Sequence, residues 1–301
     1  MNRKYLIFIL GLAAILLPLI SCGGSLPRFD ADRAYELLVQ QTDLGARVPG
    51  TEAHKQAIQF FESYLKERAQ LVILDKFSYS DSTENLDLPD CANVFARFYP
   101  DLPERILLGA HFDSRPFADK DPDPANHTQP VMGANDGASG VAVLLEMANI
   151  LKQKQPKLGV DIVLFDLEDW GSSEKPDLFC QGSKNFARRL TPTDYKYAII
   201  IDMIGDRDQQ IFKEGYSVHR SGAVVDEVWD LAEELGIRTF HRGVKYTVMD
   251  DHLPIQEKGI PAIDIIDFDY PSWHTIEDTP DKCSPQSLAN VGKILVALLY
   301  R

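Results

Sequence analysis

Five carboxylates and two imidazoles stand where apolar stretches of this sequence end or begin. His111 and Asp113 follow the run RILLGA at 105–110, Glu168 and Asp169 follow VDIVLFDL at 160–167, and Asp202 follows YAIII at 197–201. His274 comes a short loop after IPAIDIIDF at 260–268, and Asp136 immediately precedes GASGVAVLLEMA at 137–148. A lone aspartate more often caps a helix or orders a loop. So many at equivalent places point instead to one crevice beyond the carboxyl ends of neighbouring strands, where ligands of open α/β sheets bind. Like charges gathered there raise one another's proton affinity, and a divalent cation relieves the conflict. Imidazole plus carboxylate is ligand chemistry for zinc, which in catalytic sites takes three protein groups and keeps one position open.

The elements that must position these residues can be read from hydrophobic spacing. Helical spacing runs over 30–41, over 51–69 with Thr51 as N-cap, and over 137–153, 182–190, 222–235 and 284–300. Strand patterns run over 71–79 and 93–99, separated by a polar stretch at 80–90. Continuous apolar runs at 105–111, 160–167, 197–203 and 261–268 are of the kind covered on both faces. Long loops are expected at 113–135 and 168–181. Strands alternating with helices predict an α/β fold, one domain with a mixed, largely parallel central sheet flanked by helices.

Of the 301 residues 45% are hydrophobic and 25% charged, a profile that disfavours disordered, fibrous and polytopic membrane classes. Acidic residues outnumber basic ones 45 to 31, a net charge of −14, which disfavours nucleic acid as a partner. Arg3 and Lys4 precede a 15-residue apolar run at 6–20 that is short for a membrane span and suits a secretory signal. Leu19-Ile20-Ser21-Cys22 resembles the lipobox of bacterial lipoproteins. The expected organisation is a signal peptide at 1–21, a tether at 22–29 lipidated on Cys22, and a catalytic domain at 30–301. That implies a periplasmic protein contacting a membrane through its lipid anchor. Cys91, Cys180 and Cys283 lack CxxC spacing, and their pairing stays open.

Six stretches occur in order: His111-Phe112-Asp113-Ser114, GANDGASG at 133–140, Asp166-Leu167-Glu168-Asp169, Asp202-Met203-Ile204-Gly205, DDHLP at 250–254 and WHTIEDT at 273–279. The series, spanning most of 105–280, resembles the superfamily of zinc aminopeptidases and glutaminyl cyclases. In its aminopeptidases two zinc ions sit at the positions of His111, Asp136, Asp169, Asp202 and His274, with Glu168 as general base. The cyclases resemble the same set yet use one zinc. Trp273 before His274, Asp250 before Asp251-His252, and the long loop from Asp169 to Ser183 resemble the cyclase branch.

That resemblance implies cyclisation of the N-terminal glutamine of peptides to pyroglutamate with release of ammonia. It implies one zinc on Asp136, Asp169 and His274, catalysis by Glu168, Asp202 and Asp250, and a substrate wall at Trp273. His111 and Asp113 become supports, and Asp251 and His252 order their loop. The alternative is an aminopeptidase with two zinc ions, the second held by His111 and Asp202. Three departures stand out: Asp169 where a glutamate is commoner, Met249 where a polar residue is frequent, and Asn135 before Asp136. Trp170 either lines the pocket or covers the loop. His54, His219 and His241 are expected at the surface.

Overall fold

The computed structural model describes residues 26–301 except Glu84. The expected signal segment and the lipidation site Cys22 lie outside the described residues. Four apolar runs form β3 (Arg105–His111), β4 (Gly159–Phe165), β5 (Tyr197–Asp202) and β8 (Ala262–Ile266), buried at every position but Arg105. Strands buried on both faces have no solvated side to alternate with, and these four pair in parallel as β4-β3-β5-β8. A hairpin of β1 (Leu71–Asp81) and β2 (Leu86–Phe98) extends the sheet beyond β4 in antiparallel pairing.

Period-two side-chain alternation divides the core between the two faces. Ile106, Leu108 and Ala110 of β3 join Ile162, Ile199 and Ile263 in one cluster. It is covered by α1 (Ala31–Thr42), α3 (Ala138–Gln153), α5 (Gly215–Glu234) and α7 (Pro285–Tyr300). Leu107, Val163, Ile200 and Ala262 face the other way, toward the side of α4 (Gln181–Ala187) and α6 (His252–Gln256). The remaining helix, α2 (Glu52–Lys66), begins at Thr51, whose side chain accepts from the His54 amide as expected. Gly140 lets α3 approach the sheet, since a Cβ there would lie 2.4 Å from the Ile201 carbonyl oxygen.

Several expectations need correction. Strand pairing continues into the polar 80–90 stretch, where Asp81 faces Leu86 and the Ser80 hydroxyl donates to Asp87. Both faces of that ribbon tip are largely exposed, so it lacks the apolar alternation by which strands are recognised. The helix expected at 222–235 forms the second part of α5, after a kink at Ser221 (φ −142°, ψ 32°). The first part, from Gly215, was not expected and is capped by the Glu214 carboxylate, which accepts from the Tyr216 and Ser217 amides. Gly215, Ser217 and Ser221 dilute the helical signal of that first part. A small parallel pair, β6 (Ile211–Glu214) with β7 (Phe240–Tyr246), and the short α6 were not anticipated. Cys91, Cys180 and Cys283 are all buried free thiols.

Candidate active site

The carboxyl ends of the central strands carry the site. His111 ends β3, Asp202 ends β5, and Glu168 and Asp169 follow the end of β4. Leu167, Met203 and His274 have positive φ of 54°, 47° and 55°. Left-handed backbone is costly for such residues and is kept where the surroundings demand it. Each of the three lies at or beside a residue of the site.

Asp136, Asp169 and His274 are buried, and each offers a ligand atom within 4.8 Å of the other two. His274 Nε2 is 3.2 Å from Asp169 Oδ1 and 3.6 Å from Asp136 Oδ2, while its Nδ1 faces Asp119 at 3.5 Å. A carboxylate behind an imidazole is the usual way a metal-binding histidine is oriented. Asp169 Oδ2 is buried without a hydrogen-bond partner, as suits an oxygen that serves a cation. The donor set therefore fits zinc. His111, Asp136 and Asp202 form a second such group: His111 Nε2 is 3.0 Å from Asp136 Oδ1 and 3.1 Å from Asp202 Oδ1. Gly137 makes this possible, since a Cβ there would lie 2.5 Å from His111 Nε2.

Two further aspartates hold the turns that present these groups. Asp113 accepts from the Glu168 and Asp169 amides at 3.0 and 3.2 Å. Asp278 accepts from the Asn135 and Asp136 amides at 2.8 and 3.2 Å, and the Tyr270 hydroxyl donates to it. The Asn135 side chain donates to the Met203 carbonyl and accepts from the Gly205 amide, tying the Asp136 turn to the Asp202 turn.

Charge crowding has the expected consequences. Burial pushes Glu168 well above the ordinary glutamate range; His111 opposes the rise, and Asp169, Asp251 and Asp250 add to it. Burial likewise lifts Asp202 to about 7 against the pull of His111. Burial works against the charge of Asp169 too, but His274 and Arg115 outweigh it and hold that carboxylate low. For His111, burial disfavours the proton, yet Asp113, Asp136 and Asp202 more than restore it.

Above these groups lies a cleft of about 340 Å³, walled by Phe179, Met249, Phe268 and Trp273 and reaching Glu168, Asp202 and Asp250. Trp273 lies 3.9 Å from the His274 ring and 4.9 Å from Phe268, centroid to centroid. Met249, 48% exposed, sits at the mouth. The sequence-derived residues His111, Asp136, Glu168, Asp169, Asp202, Asp250, Trp273 and His274 are thus brought together. Trp170 packs edge-on against Phe117 and is absent from the cleft lining. His252 faces Glu214 at 3.3 Å.

His54 departs from expectation. It is buried on the inner face of α2, stacked on Phe112 and 2.8 Å from Asp166. Sequence reasoning also missed Arg115, which bridges Asp119 and Asp169 at 2.6 and 2.9 Å. Arg47 was missed as well: fully buried, its guanidinium donates to the carbonyls of Phe112, Met132 and Gly133 around the site. Arg47 reaches only backbone carbonyls far along the chain, and Arg115, though four residues from Asp119, also reaches across to Asp169, which no local pattern shows.

A family model described as Peptidase family M28 matches residues 93–299. A glutaminyl-peptide cyclotransferase-like protein of Bos taurus is 25% identical over 295 residues, covering 85% of this chain and 72% of that protein. Among solved structures, a Bacteroides thetaiotaomicron glutaminyl cyclase bound to N-acetylhistamine is 35% identical with a TM-score of 0.88, covering 92% of this chain and 99% of its own. A structure described as a leucine aminopeptidase precursor from the same organism matches with the same identity, coverage and TM-score.

Proposed function

Because this chain belongs to peptidase family M28, we propose that it is a zinc-dependent glutaminyl cyclase that converts the N-terminal glutamine of peptides to pyroglutamate. The observation that carries this reading is a small aromatic-walled cleft in which Glu168 and Trp273 face the Asp136, Asp169 and His274 group. The named cyclases among its relatives support it.

In this reading Asp136, Asp169 and His274 hold one zinc ion, which when bound supplies Lewis acidity toward the substrate's side-chain amide. Trp273 forms the wall that keeps the glutamine side chain folded toward its own amine, so the attack is intramolecular. Glu168 takes a proton from the α-amine as that nitrogen bonds to the amide carbon. It returns the proton to the departing nitrogen as the old C–N bond breaks, releasing ammonia. A glutamate raised by burial suits both halves of this shuttle. Asp250, which offers a carboxylate oxygen within 4.8 Å of one of Glu168, and Asp202 line the same cleft and can hydrogen-bond the nitrogens between which the proton moves. Asp113 and Asp278 keep the two ligand-bearing turns in register. His111 supports Asp136 and Asp202.

A second reading, an aminopeptidase with two metal ions, is favoured by the His111, Asp136 and Asp202 group and by the leucine aminopeptidase precursor among the similar structures. A Gln-initiated and a Leu-initiated peptide offered in parallel separate the two. Ammonia from the first with the second intact supports the cyclase; free leucine overturns it. The proposal extends to the N-terminus, where the lipobox-like stretch supports periplasmic anchoring through acylated Cys22. Partition of a C22A variant into the membrane fraction like wild type would refute the anchor.

A further inference from the structure

The loop from Asp169 to Phe179 leaves Glu168 and returns to it. The Cys180 amide donates to the Glu168 carbonyl and the Gln181 amide to the Leu167 carbonyl, both at 2.9 Å. This closure brings the Cys180 thiol 3.1 Å from Glu168 Oε1, with both side chains buried. Among the described residues, Cys180 alone hydrogen-bonds the Glu168 carboxylate. Cys180 adopts left-handed backbone at φ 61°, ψ 35°, where glycine is the residue of least cost. A side chain retained at such a position suggests that the side chain is used.

We infer that Cys180 is a positioning residue for the general base, its S–H holding Glu168 Oε1 so that Oε2 is left to face the substrate amine. The inference rests on the proposed role of Glu168. Burial, reinforced by Glu168, Asp251 and Asp250, pushes the thiol well above its ordinary range, so it keeps its proton and acts as donor. A thiol is a weak donor. It can therefore orient the carboxylate without greatly lowering its basicity, and no proton passes to sulfur during turnover. Through the two backbone bonds, the loop that supplies Phe179 to the cleft wall also sets the rotamer of the base.

The test is steady-state kinetics on a Gln-initiated peptide for wild type, C180A and C180S, with zinc content measured on each. C180A should lose roughly tenfold in kcat with KM within about twofold and zinc unchanged, the pattern of a misaligned reacting group. C180S, which keeps a donor, should stay within about threefold of wild type. In an E168D background the carboxylate is withdrawn from the thiol, so adding C180A should cost less than about twofold, the coupling expected of residues that act together. If C180A does not fold, C180V fills the space without a donor and carries the same expectation. Wild-type kcat in C180A or C180V, or a C180S enzyme as slow as either, overturns the inference. Failure of wild type itself to cyclise glutamine would instead reject the functional reading.

Discussion

Replacing Asp113 by alanine removes the acceptor of two buried amides, those of Glu168 and Asp169, at 3.0 and 3.2 Å. Asp113 is itself 1% exposed, so water does not readily take its place. Hydrogen bonds to charged groups contribute about 1.5–3 kcal/mol each, and two orphaned donors suggest about 3–6 kcal/mol. Relief of repulsion among Asp113, Glu168 and Asp169 offsets part of this, leaving about 3 kcal/mol. At about 2–4 °C per kcal/mol for a domain of this size, Tm should fall by about 6–12 °C. The same turn presents Asp169, so zinc affinity should weaken by about 10–100-fold, the usual effect of removing a group that orients a ligand. Thermal melts with and without added zinc, together with equilibrium dialysis, measure both. D113N keeps one acceptor oxygen and should lie between D113A and wild type. A D113A protein melting within about 2 °C of wild type and binding zinc equally well would refute the assignment of this carboxylate as the clamp of the catalytic turn.

Other consequences are as specific. E168Q should lower kcat by about 10²–10⁴-fold while zinc content is unchanged; wild-type turnover would remove Glu168 from the mechanism. W273A should raise KM for Gln-initiated peptides by about tenfold or more through loss of the cleft wall, and an unchanged KM would count against stacking. For Glu214, burial opposes the charge, but His252 and the Ser217 and Tyr216 amides outweigh it and hold the carboxylate at about 2. A depressed acid contributes its stability in full above the unfolded value of about 4.3 and loses it as pH falls toward 2. The Tm gap between wild type and E214Q should therefore shrink from pH 5 to pH 2.5; a constant gap would refute the linkage.

The strand-end acids were legible because a buried parallel strand is a continuous apolar run, and the charged residue that ends it is conspicuous. The same logic found β3, β4, β5 and β8 and α3, which is buried from Ala138 to Leu151. It failed for β6 and β7, whose partners are separated by the whole of α5. It failed for α6 because five residues carry too little periodicity to register. Arg47 escaped notice because its partners are distant backbone carbonyls. Arg115 and Asp119 pair locally, but their contacts to Asp169 and His274 lie far along the chain, and only those tie them to the site. His54 was misjudged because a histidine on an amphipathic helix looks the same whether it faces water or, as here, Asp166. Asp278 stood inside a quoted motif, yet only the fold shows that its oxygens receive the Asn135 and Asp136 amides.

The central claim is that Asp136, Asp169 and His274 share a metal ion beside a glutamate that does not bind it. Anomalous diffraction at the zinc edge from crystals of the purified protein tests it most directly. The account predicts one peak at about 2.0–2.2 Å from an oxygen of Asp136, an oxygen of Asp169 and His274 Nε2. A second full peak between His111 and Asp202, or a single peak bonded to Glu168, would contradict it.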